Sequence, residues 1–379
     1  MKLRGARQAR RLPSNGVERR HGSGAHLAGR RTPARRHARA RWSYTWFVLP
    51  FVLAILLVLP LLLGTSALTN ARTITTVPRP DAASATSPFG ADGHAFGLSP
   101  STGPHGADQV RELEHLLGRK VDLVNFYSGW AFPGFDTQAL KTIEALRAVP
   151  EVTWEPWDYR LGMKQHKYAL SRIIAGDFDR YIRSWAKAAA AWGQPFMLRF
   201  AQEMNGNWYP WGSKVNGNTP GEYVRAFRHI HKIFASVGAT NVIWVWCPNV
   251  LYPGGPSLSS LYPGNAYVNW IGVDGYNWGT SLAHRGGWRS AATVFVPTLS
   301  ALERLAPSKP IMIAETASAE QGGSKAAWIT NLFKLLNRYP AVRAVAWFNY
   351  DETGPDWQIT SSKSSIQAMA ASLAKRWRR

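Results

Sequence analysis

Residues 196–203 read FMLRFAQE, an apolar run that closes on an acid, and residues 310–316 read PIMIAET, which does the same. Short apolar runs ending in polar residues suit strands buried on both faces of a parallel sheet, with their chemistry gathered at the C-terminal ends. Working outward, six further runs have this character: 95–99 AFGLS, 121–128 VDLVNFYS, 151–157 EVTWEPW, 241–248 NVIWVWCP, 270–277 WIGVDGYN and 342–350 VRAVAWFNY. Amphipathic helical runs lie between them at about 107–118, 136–147, 176–192, 220–237, 291–305, 324–338 and 362–376. The connection after 241–248 offers only a short helix near 258–262. Eight strands, each followed by a connection, predict an α/β fold, a parallel sheet closed into a (β/α)8 TIM barrel. An open doubly wound sheet is the alternative.

The chain of 379 residues has room for such a barrel and additional segments. Its single cysteine, Cys247, excludes an intrachain disulfide, and its place in an apolar strand reads as core. The net charge of +22 is uneven: residues 1–43 carry 13 Lys and Arg against one acid, Glu18. The rest of the excess is dispersed, as on a solvated surface, and no nucleic-acid motif accompanies it. Nucleic acid is therefore not the expected partner. Residues 44–64, YTWFVLPFVLAILLVLPLLLG, contain no charge and are long enough to cross about 30 Å of hydrocarbon. The basic flank predicts a cytoplasmic N-terminus and an external remainder. A cleaved signal peptide, which would make the protein secreted, is the rival reading. Residues 65–92, rich in Ser, Thr, Ala and Pro, read as a disordered linker, leaving 93–379 for the barrel.

In a barrel, strands four and seven stand on opposite sides of the ring. Glu203 at the end of one and Glu315 at the end of the other would then face each other across the mouth. Two such carboxyls suit glycoside cleavage, one protonating the leaving oxygen and the other ionised; a separation of about 5 Å lets the second attack the anomeric carbon with retention, and about 6.5–9.5 Å admits water and gives inversion. The count of 18 Trp fits a cleft where sugar rings lie on indole faces. Trp208 and Trp211 bracket a stiff loop beside Glu203, and Trp130, Trp157 and Trp278 also sit at strand ends; each is a stacking platform or a hydrophobic plug. Trp244 and Trp246 share one parity within a strand and read as core.

The stretch 199–212, RFAQEMNGNWYPWG, resembles the acid/base motif of glycoside hydrolase family 26, which comprises β-mannanases, β-1,3-1,4-glucanases and β-1,3-xylanases. The resemblance spans roughly residues 95–362. It implies a (β/α)8 fold, retention of configuration, Glu203 as acid/base and Glu315, in IAETAS, as nucleophile. It further implies that Tyr276, in GVDGYNW, hydrogen-bonds the nucleophile and that Trp347, in AWFNYD, is a platform. Residues 154–157, WEPW, resemble the family's strand-three end. One departure stands out: many members, the mannanases especially, carry His before the acid/base Glu, where this chain has Gln202. Gln can donate to a sugar hydroxyl but does not titrate near neutrality, which places a β-glucan at least level with a mannan as substrate.

Neighbouring residues take roles from their chemistry. Arg199, four residues before Glu203, is predicted by alternation to share its side of the strand and to hold Glu315 across the mouth, or else to tie barrel layers together. Asn205 bonds the sugar or braces the loop. Asp158, Asp274 and Asp351 are substrate ligands or, more simply, solvated or salt-bridged acids. Glu155 is a competitor for the acid role without the flanking pattern. The sequence contains no HExxH motif, phosphate-binding glycine loop or G-x-S-x-G elbow, so no metal or cofactor is expected. The reading is an endo-acting β-glycanase held outside the membrane. A tethered, inactive carbohydrate-binding protein and a transglycosylase or trimming enzyme of exopolysaccharide export are the alternatives.

Overall fold

The computed structural model describes residues 88–89, 93–132, 134–282, 287–351 and 355–374. The expected basic tail, the expected anchor at 44–64 and nearly all of the expected linker lie outside the described residues. No helix among the described residues is long and apolar enough to cross a membrane.

Eight parallel strands form one closed barrel in sequence order. They are β1 Ala95–Pro100, β2 Leu123–Gly129, β3 Val149–Glu155, β4 Phe196–Phe200, β5 Val242–Trp246, β6 Trp270–Asn277, β7 Ile311–Ser318 and β8 Val342–Asn349. Pairing of β1 with β8, from Ala95 opposite Ala344 to Pro100 opposite Asn349, closes the ring and excludes an open sheet. The helices are α1 Ala107–Leu117, α2 Thr137–Ala145, α3 Leu170–Ile174, α4 Asp179–Trp192, α5 Pro220–Ser236, α6 Ala291–Leu305, α7 Lys325–Leu336 and α8 Lys363–Leu373. After β5 the described chain makes only a 3-10 turn at Leu258–Ser260.

Local chemistry explains where elements start. Pro220 opens α5 behind a capping box in which Thr219 and Glu222 satisfy each other's backbone N–H groups. The buried stripe of α5, Tyr223, Ala226, Phe227, Ile230, Ile233 and Phe234, follows helical spacing and packs on the strands. Each large side chain in it contributes roughly 1.5–3 kcal/mol by leaving water.

Strand alternation divides the interior into two cores. Trp244 and Trp246 point outward into the layer between strands and helices, while Ile243, Val245 and Cys247 point into the barrel. The barrel floor is apolar: Ala95, Leu123, Met197, Ile243, Trp270, Met312 and Ala344, with Phe89 edge-on to Trp270 at 5.6 Å. Above the floor the inward residues turn polar, with Asn125, Thr153, Arg199 and Asp274 all fully buried. The candidate site sits on this polar layer, at the C-terminal mouth.

Candidate active site

A β-bulge sets the direction of Glu315. On β7, Ile313 pairs with Val273 of β6 while Glu315 pairs with Asp274, and Ile313 and Thr316 pair with Val345 and Trp347 of β8. The strand thus carries one extra residue against both neighbours just before Glu315. Plain alternation from Met312 and Ala314, which line the barrel, would turn Glu315 outward; the bulge re-aims it. Three donors converge on its carboxylate. Tyr127 Oη donates to Oε1 at 2.6 Å, Tyr276 Oη donates to Oε2 at 2.6 Å, and Arg199 Nη2 donates to Oε1.

Arg199 is completely buried and ties the layer together. It contacts Glu315 as the sequence suggests, bonds Asp274 at 3.0 Å and Thr153 Oγ1 at 2.6 Å, and lies 3.9 Å from Glu151. Burial opposes its charge, yet Glu315 and Asp274 outweigh burial and hold the guanidinium well above its ordinary range. With one cation among several acids, the surplus carboxyls are pushed toward the neutral form. Burial, then the Glu315 charge, raises Asp274 well above the usual carboxylate range. Burial raises Glu151 to about 7 against the pull of Arg199. Asp274 is thus a buried, salt-bridged member of the network. Cys247 donates its thiol to Asp274 at 3.1 Å, and burial followed by the Asp274 charge pushes that thiol up.

Glu203 is placed by a turn. The strand ends at Phe200, and Ala201 and Glu203 both take left-handed conformations, with φ of +48° and +54°. A turn, in place of the strand alternation expected from the sequence, therefore directs Glu203, and Arg199 still acts on its carboxyl. Such φ values are costly for residues with a Cβ and are common where a functional side chain must be aimed. The Glu203 N–H donates to the Cys247 carbonyl at 2.7 Å, which fixes the turn to the β5 end. Trp208 Nε1 donates to Oε2 and Asn249 Nδ2 donates to Oε1, each at 2.5 Å. Burial first, and the Glu315 charge second, raise Glu203 to about 7; the Trp208 and Asn249 bonds work the other way. Glu203 and Glu315 keep 7% and 6% of their surfaces exposed, so both carboxyls sit at the bottom of the mouth within reach from outside.

The structure sorts the remaining expected residues. Trp157, Trp208 and Trp278 are half-buried at the rim, as stacking surfaces require. Trp211 and Trp347 have no exposed surface, which corrects their reading as platforms. The Trp211 indole donates to the Gln202 carbonyl at 2.6 Å and its ring stacks on Tyr209, so it plugs the loop. Trp347 has the outward parity of β8 and donates to the Trp357 carbonyl at 2.7 Å. The half-buried Phe348 stands edge-on to Tyr276 at 5.7 Å instead. Trp130 is buried against Trp154 and Phe178, in the shell between barrel and helices. Gln202 and Asn205, each 1% exposed, are not open to a sugar either. Gln202 Nε2 donates to Glu155 Oε1 at 2.7 Å. Asn205 exchanges two 2.8 Å bonds with the Asn249 backbone and so braces the β4 and β5 loops.

Glu155 also accepts from Trp157 Nε1 at 3.1 Å, and burial raises it to about 7 against those two bonds. Asp158 pairs with Arg160 at 2.7 Å, and Asp351 is exposed. The sequence reading missed Tyr127, Asn249 and Glu151. The inward parity that Tyr127 shares with Leu123 and Asn125 was the available signal for the first.

The family model for glycosyl hydrolase family 26 matches residues 130–337. Over 266 residues, 68% of the chain, there is 37% identity to Endoglucanase H of Acetivibrio thermocellus, covering 28% of that protein. A mannan endo-1,4-β-mannosidase of Bacillus subtilis is 28% identical over 22% of the chain and 24% of its own length. The chain therefore spans about a quarter of the length of these curated relatives. A modular endo-β-1,4-mannanase from Cellulomonas fimi superposes with a TM-score of 0.57 at 17% identity, covering 75% of this chain and 71% of that one. At that identity the likeness is one of fold.

Proposed function

The chain belongs to glycosyl hydrolase family 26, whose model spans more than half of it, and on that premise we propose that it is a retaining endo-β-glycanase. One observation carries the reading: Glu315 is ringed by the donors Arg199, Tyr127 and Tyr276, while Glu203 is raised to about 7 by burial and by Glu315. Two carboxyls in environments this different are the mark of divided labour in acid–base chemistry.

Glu315 attacks the anomeric carbon while Glu203 gives its proton to the departing glycosidic oxygen, leaving a glycosyl ester on Glu315. Glu203, now ionised, takes a proton from water. The hydroxide adds to the anomeric carbon and Glu315 leaves, so configuration is retained. Tyr127, Tyr276 and Arg199 hold the attacking oxygen in line. Trp157, Trp208 and Trp278 bind sugar rings at the rim.

A β-glucan is the favoured backbone. Gln202, which donates to Glu155 beneath the cleft, stands where many members of the family, the mannanases especially, carry His, and the long match to an endoglucanase agrees with that choice. The uncharged run 44–64 supplies a tether that keeps the barrel on the outer face of the membrane; its support is the sequence pattern. Incubation with mixed-linked β-glucan, mannan and β-1,3-xylan, read by new reducing ends, tests the activity. Shortening of the glucan first is expected, with loss of all cleavage in Glu315→Ala. No cleavage of any of the three contradicts it. Release of the protein from membranes by carbonate would contradict the tether.

A further inference from the structure

Of the four large hydrophobic side chains exposed among the described residues, three lie close together after β3: Tyr159 at 59%, Leu161 at 68% and Met163 at 44%. Exposed apolar clusters of this kind mark contact surfaces. The loop that carries them is pinned. The Gln165 side chain, only 5% exposed, accepts from the Asp158 N–H at 2.9 Å and donates to the Asp158 carbonyl at 2.9 Å and to the Gly162 carbonyl. Asn216 Nδ2 holds the Met163 carbonyl at 2.8 Å. Tyr159 stacks on Phe132 of the β2 loop with centroids 4.7 Å apart, and the Arg160 guanidinium lies 4.9 Å over the same ring.

Beside this platform is a cavity of about 490 Å³, bordered by Trp130, Arg160, Lys164, His166 and Lys167. Asp158, the acid among its lining residues, is engaged by Arg160 at 2.7 Å. Lys164 and Lys167 are exposed, and neither makes an ion pair among the described residues. Most of the residues around the cavity belong to the loop that follows β3, whose end carries Glu155 and Trp157.

Resting on the reading of the chain as a β-glycanase, we propose that this loop forms a distal subsite for a glycan bearing anionic substituents. A sugar ring packs its C–H face on the Tyr159–Phe132 stack, and a carboxylate or sulfate on the glycan meets Lys164 and Lys167. The flat stacked pair and the sugar-sized polar cavity favour a glycan over a lipid surface, which would need an apolar tip without a cavity.

Affinity electrophoresis of the full chain carrying Glu315→Ala separates binding from cleavage. The gels contain mixed-linked β-glucan, its carboxymethylated form or its sulfated form. At low salt the charged glucans are expected to retard the protein more strongly than the neutral one, and Lys164→Gln with Lys167→Gln should lower that ratio about 3–10-fold further than the charge-matched pair Lys141→Gln with Lys334→Gln, exposed lysines outside this loop. Raising the salt should lower it too. Tyr159→Ser should weaken retardation by all three. Retardation by one charged form alone would name the substituent and support the subsite. A ratio of one in the parent protein, or one that falls no further in Lys164→Gln with Lys167→Gln than in the charge-matched pair, overturns the subsite. So does lysine-dependent binding to phosphatidylglycerol vesicles without glycan retardation. Failure to cleave any glycan in the protein with Glu315 intact would instead strike the hydrolase reading and leave this binding ratio standing.

Discussion

The indole N–H of Trp208 donates to Oε2 of Glu203 at 2.5 Å, five residues along the same loop. Gly206 makes the contact feasible, because a Cβ there would come within 2.5 Å of the Trp208 ring. The bond stabilises the ionised carboxylate, so it pulls Glu203 down from an even higher position. If Glu203 is the proton donor as proposed, kcat/KM of the unaltered protein is expected to fall as pH rises through about 7, when its carboxyl ionises. Trp208→Phe should move that alkaline limb upward and lower kcat. A limb that stays in place, in a folded variant, would contradict the assignment of the proton donor.

Tyr127 and Tyr276 each give one hydrogen bond to Glu315, to different oxygens. A bond to a charged group is worth about 1.5–3 kcal/mol, so Tyr127→Phe and Tyr276→Phe should each lower kcat/KM about 10–100-fold. The losses should not add in the double variant, since both act through one carboxylate. Full activity in Tyr127→Phe would show that the second donor is idle.

Much of this was legible in the sequence. The eight apolar runs alternating with amphipathic stretches gave the barrel, because period and length are written locally. The placement of Glu203 and Glu315 at the mouth was legible because strand ends collect chemistry, and the contact of Tyr276 with Glu315 was implied by the resemblance of GVDGYNW to the family. The aromatic platforms were less so. Trp211 and Trp347 look like Trp157 and Trp208 in sequence, and only packing decides which indole faces the mouth and which plugs a loop. The bulge before Glu315 and the left-handed turn at Glu203 depend on pairing with neighbouring strands, which no local pattern states. Tyr127 meets Glu315 across 188 residues of sequence.

Glu151 tests the electrostatics of the layer beneath the site. Its carboxyl is fully buried, with no hydrogen-bond partner for either oxygen among the described residues, and it is raised from 4.5 to about 7 by burial. A raised folded-state value means a stabilising contribution that is complete below about 4.5 and is lost as pH climbs through about 7. That is a swing of about 3 kcal/mol. The protein should therefore melt lower at pH 8 than at pH 5, and Glu151→Gln should narrow the gap by a few degrees. An unchanged gap would show that Glu151 keeps its charge state across this range.

In the proposed reaction Glu315 forms a covalent bond to the sugar while Glu203 handles the proton. A 2-deoxy-2-fluoro-β-cellobioside with a dinitrophenolate leaving group reads this directly by trapping the first intermediate for peptide mass analysis. The expected result is one equivalent of dinitrophenol released in a burst and a single fluoroglycosyl label on the peptide containing Glu315. A label on another acid, or steady turnover to inverted sugar with no label, would contradict it.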